Sequence, residues 1–237
     1  MLRGKRVVVL GGSAGTGRAV AEKAASEGAE VVIASSNSAR VKDATDAIAG
    51  CEGHVADLRS AAAVNALFER LGTLDHLVYT AGEGLLVSPL RDMDLEQARR
   101  FFEIRYWGAL AAVKAASPRI SPGGSVVLTS GTAGQRPHAG FAVIGGLCGA
   151  MEALTRALAV ELAPLRVNVV TPGLVKTPLW DPFPEEAKRQ LFADAARTLP
   201  TRHVATPDEI AEHYLGFMKG RYVTGQSLVV DGGGVLV

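Results

Sequence analysis

An open α/β sheet, with parallel strands and helices on both faces, is the fold this sequence predicts. Three observations predict it. Four consecutive apolar residues, Val7 to Leu10, run straight into a turn holding Gly11, Gly15 and Gly17, and an alanine-rich segment at helical spacing follows. Short apolar runs and helical patterns then alternate along the chain, which is how a parallel sheet reads when helices cover both faces. No repeat, low-complexity tract or linker interrupts the 237 residues, so 1–237 is expected to be one domain.

The elements follow in order. Val7–Leu10 is the first strand and Ala19–Ala29 the helix that Gly28 ends; Glu30–Ala34 is the second strand. A helix to about Ile48, a short strand Glu52–Ala56, a helix Ser60–Leu71 and a strand Leu74–Tyr79 come next. Leu95–Ser117 carries a long helical pattern, Ser125–Thr129 a fifth strand, Phe141–Leu162 another long helix and Arg166–Thr171 a sixth strand. On the second long helix Leu147, Met151, Leu154, Leu158 and Leu162 recur every three or four residues, so one face is expected to be buried. Residues from about 178 to 205 change character, becoming aromatic, proline-rich and charged, as a substrate lid would. Pro207–Met218 reads as the last helix and Gln226–Val230 as the seventh strand.

Composition narrows the function. Lysine plus arginine number 25 against 24 aspartate plus glutamate, which gives no electrostatic reason to expect nucleic acid or an anionic membrane as partner. Cys51 and Cys148 lie outside any C-x-x-C spacing, so neither a disulfide framework nor a thiolate metal site is expected. A reducing cytoplasm fits. The basic start at Arg3, Lys5 and Arg6 is followed by too short an apolar run for a signal core, and Lys114 and Glu152 break the longest apolar stretches. No membrane is expected.

The first turn points to a nucleotide. Glycine at 11, 15 and 17 lets the backbone turn sharply and lets a pyrophosphate approach main-chain N–H groups at a helix N-terminus, where the dipole favours an anion. Ser13 and Thr16 belong to the same turn. The end of the second strand, where a carboxylate would select an unphosphorylated ribose, instead carries Ser35, Ser36 and Asn37, with Arg40 just beyond. Those donors suit a 2′-phosphate, and NADP(H) is expected over NAD(H). The other reading of Ser-Asn is a turn and helix cap. Asp57, past the third strand, could bond an adenine amino group or cap the following helix.

Over its whole length the chain resembles the short-chain dehydrogenase/reductase family. The matches run in order: GGSAGTG for the family's glycine turn, Asp57-Leu58, Ala81-Gly82, Thr129-Ser130, RVNVVTPGLVKTP and YVTGQSLVVDGG. The resemblance implies a Rossmann-type, doubly wound seven-stranded sheet with a nicotinamide dinucleotide across the strands' carboxyl ends. It also implies that Gly11, Gly15 and Gly17 hold the pyrophosphate, Asp57 the adenine and Ala81-Gly82 the adenosine ribose. Pro172, Gly173, Val175 and Thr177 would hold the nicotinamide amide and diphosphate. A homodimer or homotetramer is implied as well.

The family's proton-transfer groups are not matched. Where it places a tyrosine and, four residues later, a lysine, this chain has Ile144 and Cys148. Its asparagine, three residues before a glycine, is Arg105 before Gly108, and an asparagine pair is Tyr79-Thr80. Isoleucine cannot donate a proton, and losing a general acid costs roughly 10²- to 10⁴-fold in rate. Three residues are candidates to stand in: Ser130, the one matched member of the set; Arg105, whose guanidinium could stabilise an oxyanion or clamp a carboxylate without donating a proton; and His138, whose imidazole could serve as an acid. Cys148 reads as an inert buried thiol. Gly145, Gly146 and Gly149 suggest a close approach to the helix backbone. Two functions are expected to compete: an oxidoreductase with an unusual centre, and a silent NADP(H)-binding sensor or partner subunit. A non-redox reaction in the same pocket, such as a cyclisation or an elimination, is the third.

Overall fold

The computed structural model describes residues 1–82 and 84–237. Seven strands form one sheet in the order β3-β2-β1-β4-β5-β6-β7, every pair parallel. They are β1 (Arg6–Leu10), β2 (Glu30–Ser35), β3 (Glu52–Val55), β4 (Leu74–Tyr79), β5 (Ile120–Thr129), β6 (Arg166–Pro172) and β7 (Ser227–Val230). Strand β1 pairs with β2 on one side and β4 on the other, so the winding reverses there. A crevice opens at such a reversal, outside the carboxyl ends of the strands, and that is where sheets of this kind take ligands.

Alternation along β1 shows why the strands are apolar throughout. Val8 and Leu10 face one core, with Phe68, Ala112 and Met151, whereas Val7 and Val9 face the other, with Val20, Ile210 and Tyr214. Helices α1 (Gly15–Ser26), α2 (Ser38–Ala47) and α8 (Pro207–Lys219) serve the second core. The first is covered by α3 (Ala61–Leu71), α5 (Gly108–Ala116) and α6 (Ala142–Glu161). The expected face of α6 is inside: Leu147, Met151, Leu154 and Leu158 are buried and Leu162 partly so. By length and apolarity alone α6 would reach across a membrane; here that face packs in the core.

Differences from the sequence reading are local. Helix α1 begins at Gly15, four residues early, because the glycine turn is itself its first turn. Strand β5 starts at Ile120 across a register shift opposite Leu74 and His76. The long helix expected over 95–117 is three pieces: α4 (Leu95–Phe102), a five-residue π-turn (Glu103–Trp107) and α5. Within the 178–205 stretch, α7 (Glu185–Thr198) has no buried residue. Its Phe192 joins Phe183 in packing on the Trp180 ring.

Candidate active site

The turn after β1 admits nothing larger than glycine at positions 11 and 17. A Cβ on Gly17 would lie 2.3 Å from the Gly11 carbonyl oxygen and from the Thr80 hydroxyl, and one on Gly11, at φ +87°, would lie 2.6 Å from the Ala81 nitrogen. The turn therefore nests against the Thr80-Ala81 backbone at the end of β4. Helix α1 has no side-chain cap from Ala14 and no acidic residue in its first turn, which leaves its leading N–H groups and positive dipole end for an anion. Gly15 faces Thr177, whose Cβ would be 3.5 Å from a Cβ placed there, so two distant segments meet at the same end of the sheet. Gly173 is fixed by its N–H to the Val230 carbonyl, 3.0 Å, and leaves no room for a side chain against Asp231. Val175 pairs with Ala205 and accepts a bond from the Trp180 indole, 2.9 Å. A dinucleotide's pyrophosphate fits this cradle.

At the end of β2 the Asn37 side chain accepts from the Arg40 backbone N–H, 2.9 Å, and caps α2. The Arg40 guanidinium is exposed and makes no ion pair among the described residues, unlike Arg18, which is held by Glu22 and Asp43. Ser35 is half-buried and Ser36 exposed. Asp57 accepts from the backbone N–H and the guanidinium of Arg59, both at 3.0 Å, and those bonds hold its carboxyl below the usual aspartate range. The cap of α3 is Ser60, whose hydroxyl accepts from Ala63 at 3.2 Å, so Asp57 is left out of that task. Leu58 is buried.

Arg105 comes from the π-turn. Here the Gly108 N–H reaches back five residues to the Glu103 carbonyl, and the insertion turns residue 105 toward the end of β4. Its guanidinium lies against Gly82 and over the Phe101 ring, 4.8 Å from the centroid, and donates to the Gly84 carbonyl at 3.4 Å. Its charge reaches Cys148 on α6 and Tyr79 on β4, lowering both groups' affinity for a proton, although burial outweighs it and raises both.

The remaining candidates are dispersed. The Ser130 hydroxyl donates to the Cys148 carbonyl, 3.1 Å, tying the end of β5 to α6. Ile144 and Cys148 are both buried on α6, and that helix carries neither tyrosine nor lysine. His138 is exposed and meets the Phe141 ring edge-on at 5.4 Å. Of the three α6 glycines, Gly145 is approached by the Ala133 carbonyl, whereas Gly146 and Gly149 face open space. No cluster of metal-ligating side chains occurs among the described residues.

Two structural features escaped the sequence reading: the π-turn itself, and the contact made by Tyr79, whose hydroxyl donates to the Ile104 carbonyl inside that turn. The available signal was Gly108, glycine because a Cβ there would meet the Tyr79 hydroxyl at 2.5 Å and the Leu58 carbonyl at 2.6 Å.

Comparison with known proteins decides the family. A family model described as Enoyl-(Acyl carrier protein) reductase matches residues 11–234. The short-chain dehydrogenase/reductase malC of Malbranchea aurantiaca is 33% identical over 255 residues, covering 100% of this chain and 96% of that protein. The chain belongs to the short-chain dehydrogenase/reductase family. Other members confirm the span: carbonyl reductase family member 4 of Danio rerio is 33% identical over 95% of this chain and 96% of its own. Among solved structures, a small-chain dehydrogenase in complex with NADPH superposes with a TM-score of 0.89 at 32% identity, covering 99% of this chain and all of that one. The structure described as MalC Reductase/Diels-Alderase, from Malbranchea aurantiaca, gives 0.92 at 34%, covering 100% and 98%. The seven-stranded Rossmann-type fold of the short-chain dehydrogenase/reductases is thus that of this chain.

Proposed function

We propose that this short-chain dehydrogenase/reductase is an NADP(H)-dependent oxidoreductase with an atypical active site, in which a fixed arginine charge replaces the family's proton-donating pair. The observation that carries the reading is the placement of Arg105 against Gly82 and Gly84, past the end of β4, with its charge reaching Cys148 on an α6 that has neither tyrosine nor lysine. Support for the cofactor comes from the glycine cradle, from Arg40 at the end of β2, and from the family member crystallised with NADPH.

When bound, the reduced nicotinamide supplies a hydride. Gly11, Ser13, Gly15, Thr16 and Gly17 hold the diphosphate and Asp57 with Leu58 the adenine side. Ala81 and Gly82 hold a ribose, and Pro172, Gly173, Val175 and Thr177 the nicotinamide end. Ser35, Ser36, Asn37 and Arg40 would hold the 2′-phosphate, with Arg40 the charged member. Arg105 stabilises the negative charge that develops on a carbonyl oxygen, an effect worth about 2.7–4 kcal/mol for a well-aimed donor. It cannot deliver the proton, which reaches the oxygen from solvent or from the exposed His138. Ser130 keeps α6 seated on β5. A cation in this position disfavours a positively charged imine and favours a carbonyl compound bearing a carboxylate, such as a 2-oxo acid.

The test is a fluorescence titration with NADPH, followed by nicotinamide oxidation with phenylpyruvate, acetophenone, an imine and an enone. Binding with preferential turnover of phenylpyruvate supports the reading. Binding with no turnover of any of them supports the second reading, a silent NADP(H)-binding sensor or partner subunit, which the Ile144 and Cys148 side chains favour. Absence of binding overturns both. The MalC description, which names a Diels-Alderase beside a reductase, adds one more assay: cyclisation of a diene–dienophile substrate with the oxidised cofactor present.

A further inference from the structure

In an unbroken α-helix the Ile104 carbonyl would accept from the Gly108 N–H, four residues on. Here that N–H is given to Glu103, one residue further back, and the Ile104 oxygen loses its ordinary helical donor. The donor that replaces it comes from a different element: the phenol of Tyr79, at the end of β4. Gly108 leaves space for that phenol, since a Cβ would meet the hydroxyl oxygen at 2.5 Å. Three residues later on the same strand end, Gly82 leaves space for the guanidinium of Arg105, whose Nη1 would be 2.4 Å from a Cβ. The π-turn is therefore held at two points: its backbone by Tyr79, its arginine by the Gly84 carbonyl beside the space that Gly82 leaves.

We infer that Tyr79 is a positioning residue: its hydroxyl stabilises the π-turn over Glu103–Trp107 and so sets where the Arg105 charge stands. Tyr79 is buried and its phenol is raised well above the usual tyrosine range by that burial, so it acts as a neutral hydrogen-bond donor. Its size suits the task. The hydroxyl of a phenol reaches a carbonyl in the neighbouring layer from a strand, and Phe at 79 would fill the same core without supplying the bond. The inference rests on the proposed role of Arg105 for its catalytic consequence, but not for its structural one.

The experiment separates the two. Tyr79→Phe and Arg105→Ala are compared with the parent chain by NADPH fluorescence titration, by the rate at which phenylglyoxal modifies Arg105 (followed by peptide mass mapping), and by kcat and KM for phenylpyruvate. The expected result for Tyr79→Phe is an NADPH affinity within twofold of the parent, at least fivefold faster modification of Arg105, and a kcat lowered about tenfold. An unchanged modification rate overturns the inference. If Tyr79→Phe exposes Arg105 while Arg105→Ala leaves phenylpyruvate turnover intact, the positioning role stands and the charge-stabilisation reading falls. Should Tyr79→Phe fail to fold, uniform 3-fluorotyrosine labelling of the parent chain replaces it. The more acidic phenol strengthens the bond to Ile104, so Arg105 modification is expected to slow; no slowing overturns the inference.

Discussion

The Arg105 guanidinium occupies the space that a side chain on Gly82 would need. What it presents there is the end of a long flexible chain rather than backbone, and Gly82 is exposed, so Gly82→Ala displaces the arginine without disturbing the core. The expected outcome is a melting temperature within about 2 °C of the parent, as for other surface substitutions within about 0.5 kcal/mol. Turnover of phenylpyruvate is expected to fall about tenfold or more. Differential scanning fluorimetry beside steady-state kinetics checks the pair of values, and a large loss of stability would show that Gly82 serves the fold instead.

Arg40 tests cofactor choice. Its guanidinium is exposed, has no ion pair among the described residues, and stands in the first turn of α2, just past the end of β2. Arg40→Ala is expected to raise the dissociation constant for NADPH about tenfold, about 1.4 kcal/mol, and to leave NADH binding unchanged. Because Asn37 meets the Arg40 backbone and not its side chain, the cap on α2 survives the substitution. Equal weakening toward both dinucleotides in a fluorescence titration would count against the 2′-phosphate assignment.

Those two residues show unequally what a sequence discloses. The nucleotide cradle was legible because glycine there answers to local geometry: Gly11 and Gly17 sit where any Cβ would meet backbone, and their spacing records it. Arg105 was legible as a candidate, but its placement was not. The helical pattern continues smoothly from Leu95 to Ser117, and nothing in its periodicity announces one extra residue between α4 and α5. That insertion is sustained from β4, by Tyr79, some 25 residues away in the chain. Ser130 illustrates the opposite case: its place in a motif says nothing of where its hydroxyl bonds, and in the fold it bonds Cys148.

His76 gives the protein a pH dependence with a defined sign. Buried on β4, its ring nitrogen lies 2.9 Å from the Ser125 hydroxyl, and burial pulls its pKa down from 6.5 to about 4, with Asp75 opposing and Arg166 and Lys5 assisting. Below pH 6.5 the unfolded chain takes up a proton at this histidine that the folded chain refuses, so stability is lost as pH falls from 6.5 toward 4. The loss is bounded at about 3 kcal/mol by the size of the shift. Urea unfolding between pH 4 and 7.5 should show this slope. His76→Gln should flatten it, after allowance for the parent's carboxylates, and an unchanged slope would mean that the ring titrates normally.

Burial also raises the proton affinity of the two thiols, for reasons that differ in detail. Cys51 is pushed up to about 11, mainly by burial and secondarily by Glu52, and Cys148 is raised by burial against the opposing pull of Ser130 and Arg105. A thiol near 11 is ionised to only about one part in 10³ to 10⁴ at neutral pH, and the thiolate is the reacting species. Ellman's reagent at pH 7.5 is therefore expected to find no fast thiol in the folded chain and two in urea. The result bears directly on the active site, because Cys148 occupies the position four residues after Ile144 and stands within reach of the Arg105 charge. Were Cys148 to react rapidly, and more slowly once Arg105→Ala was introduced, the arginine would be acting on a nucleophile rather than on a carbonyl oxygen. Slow reaction in both proteins leaves the guanidinium as the group that meets the developing charge.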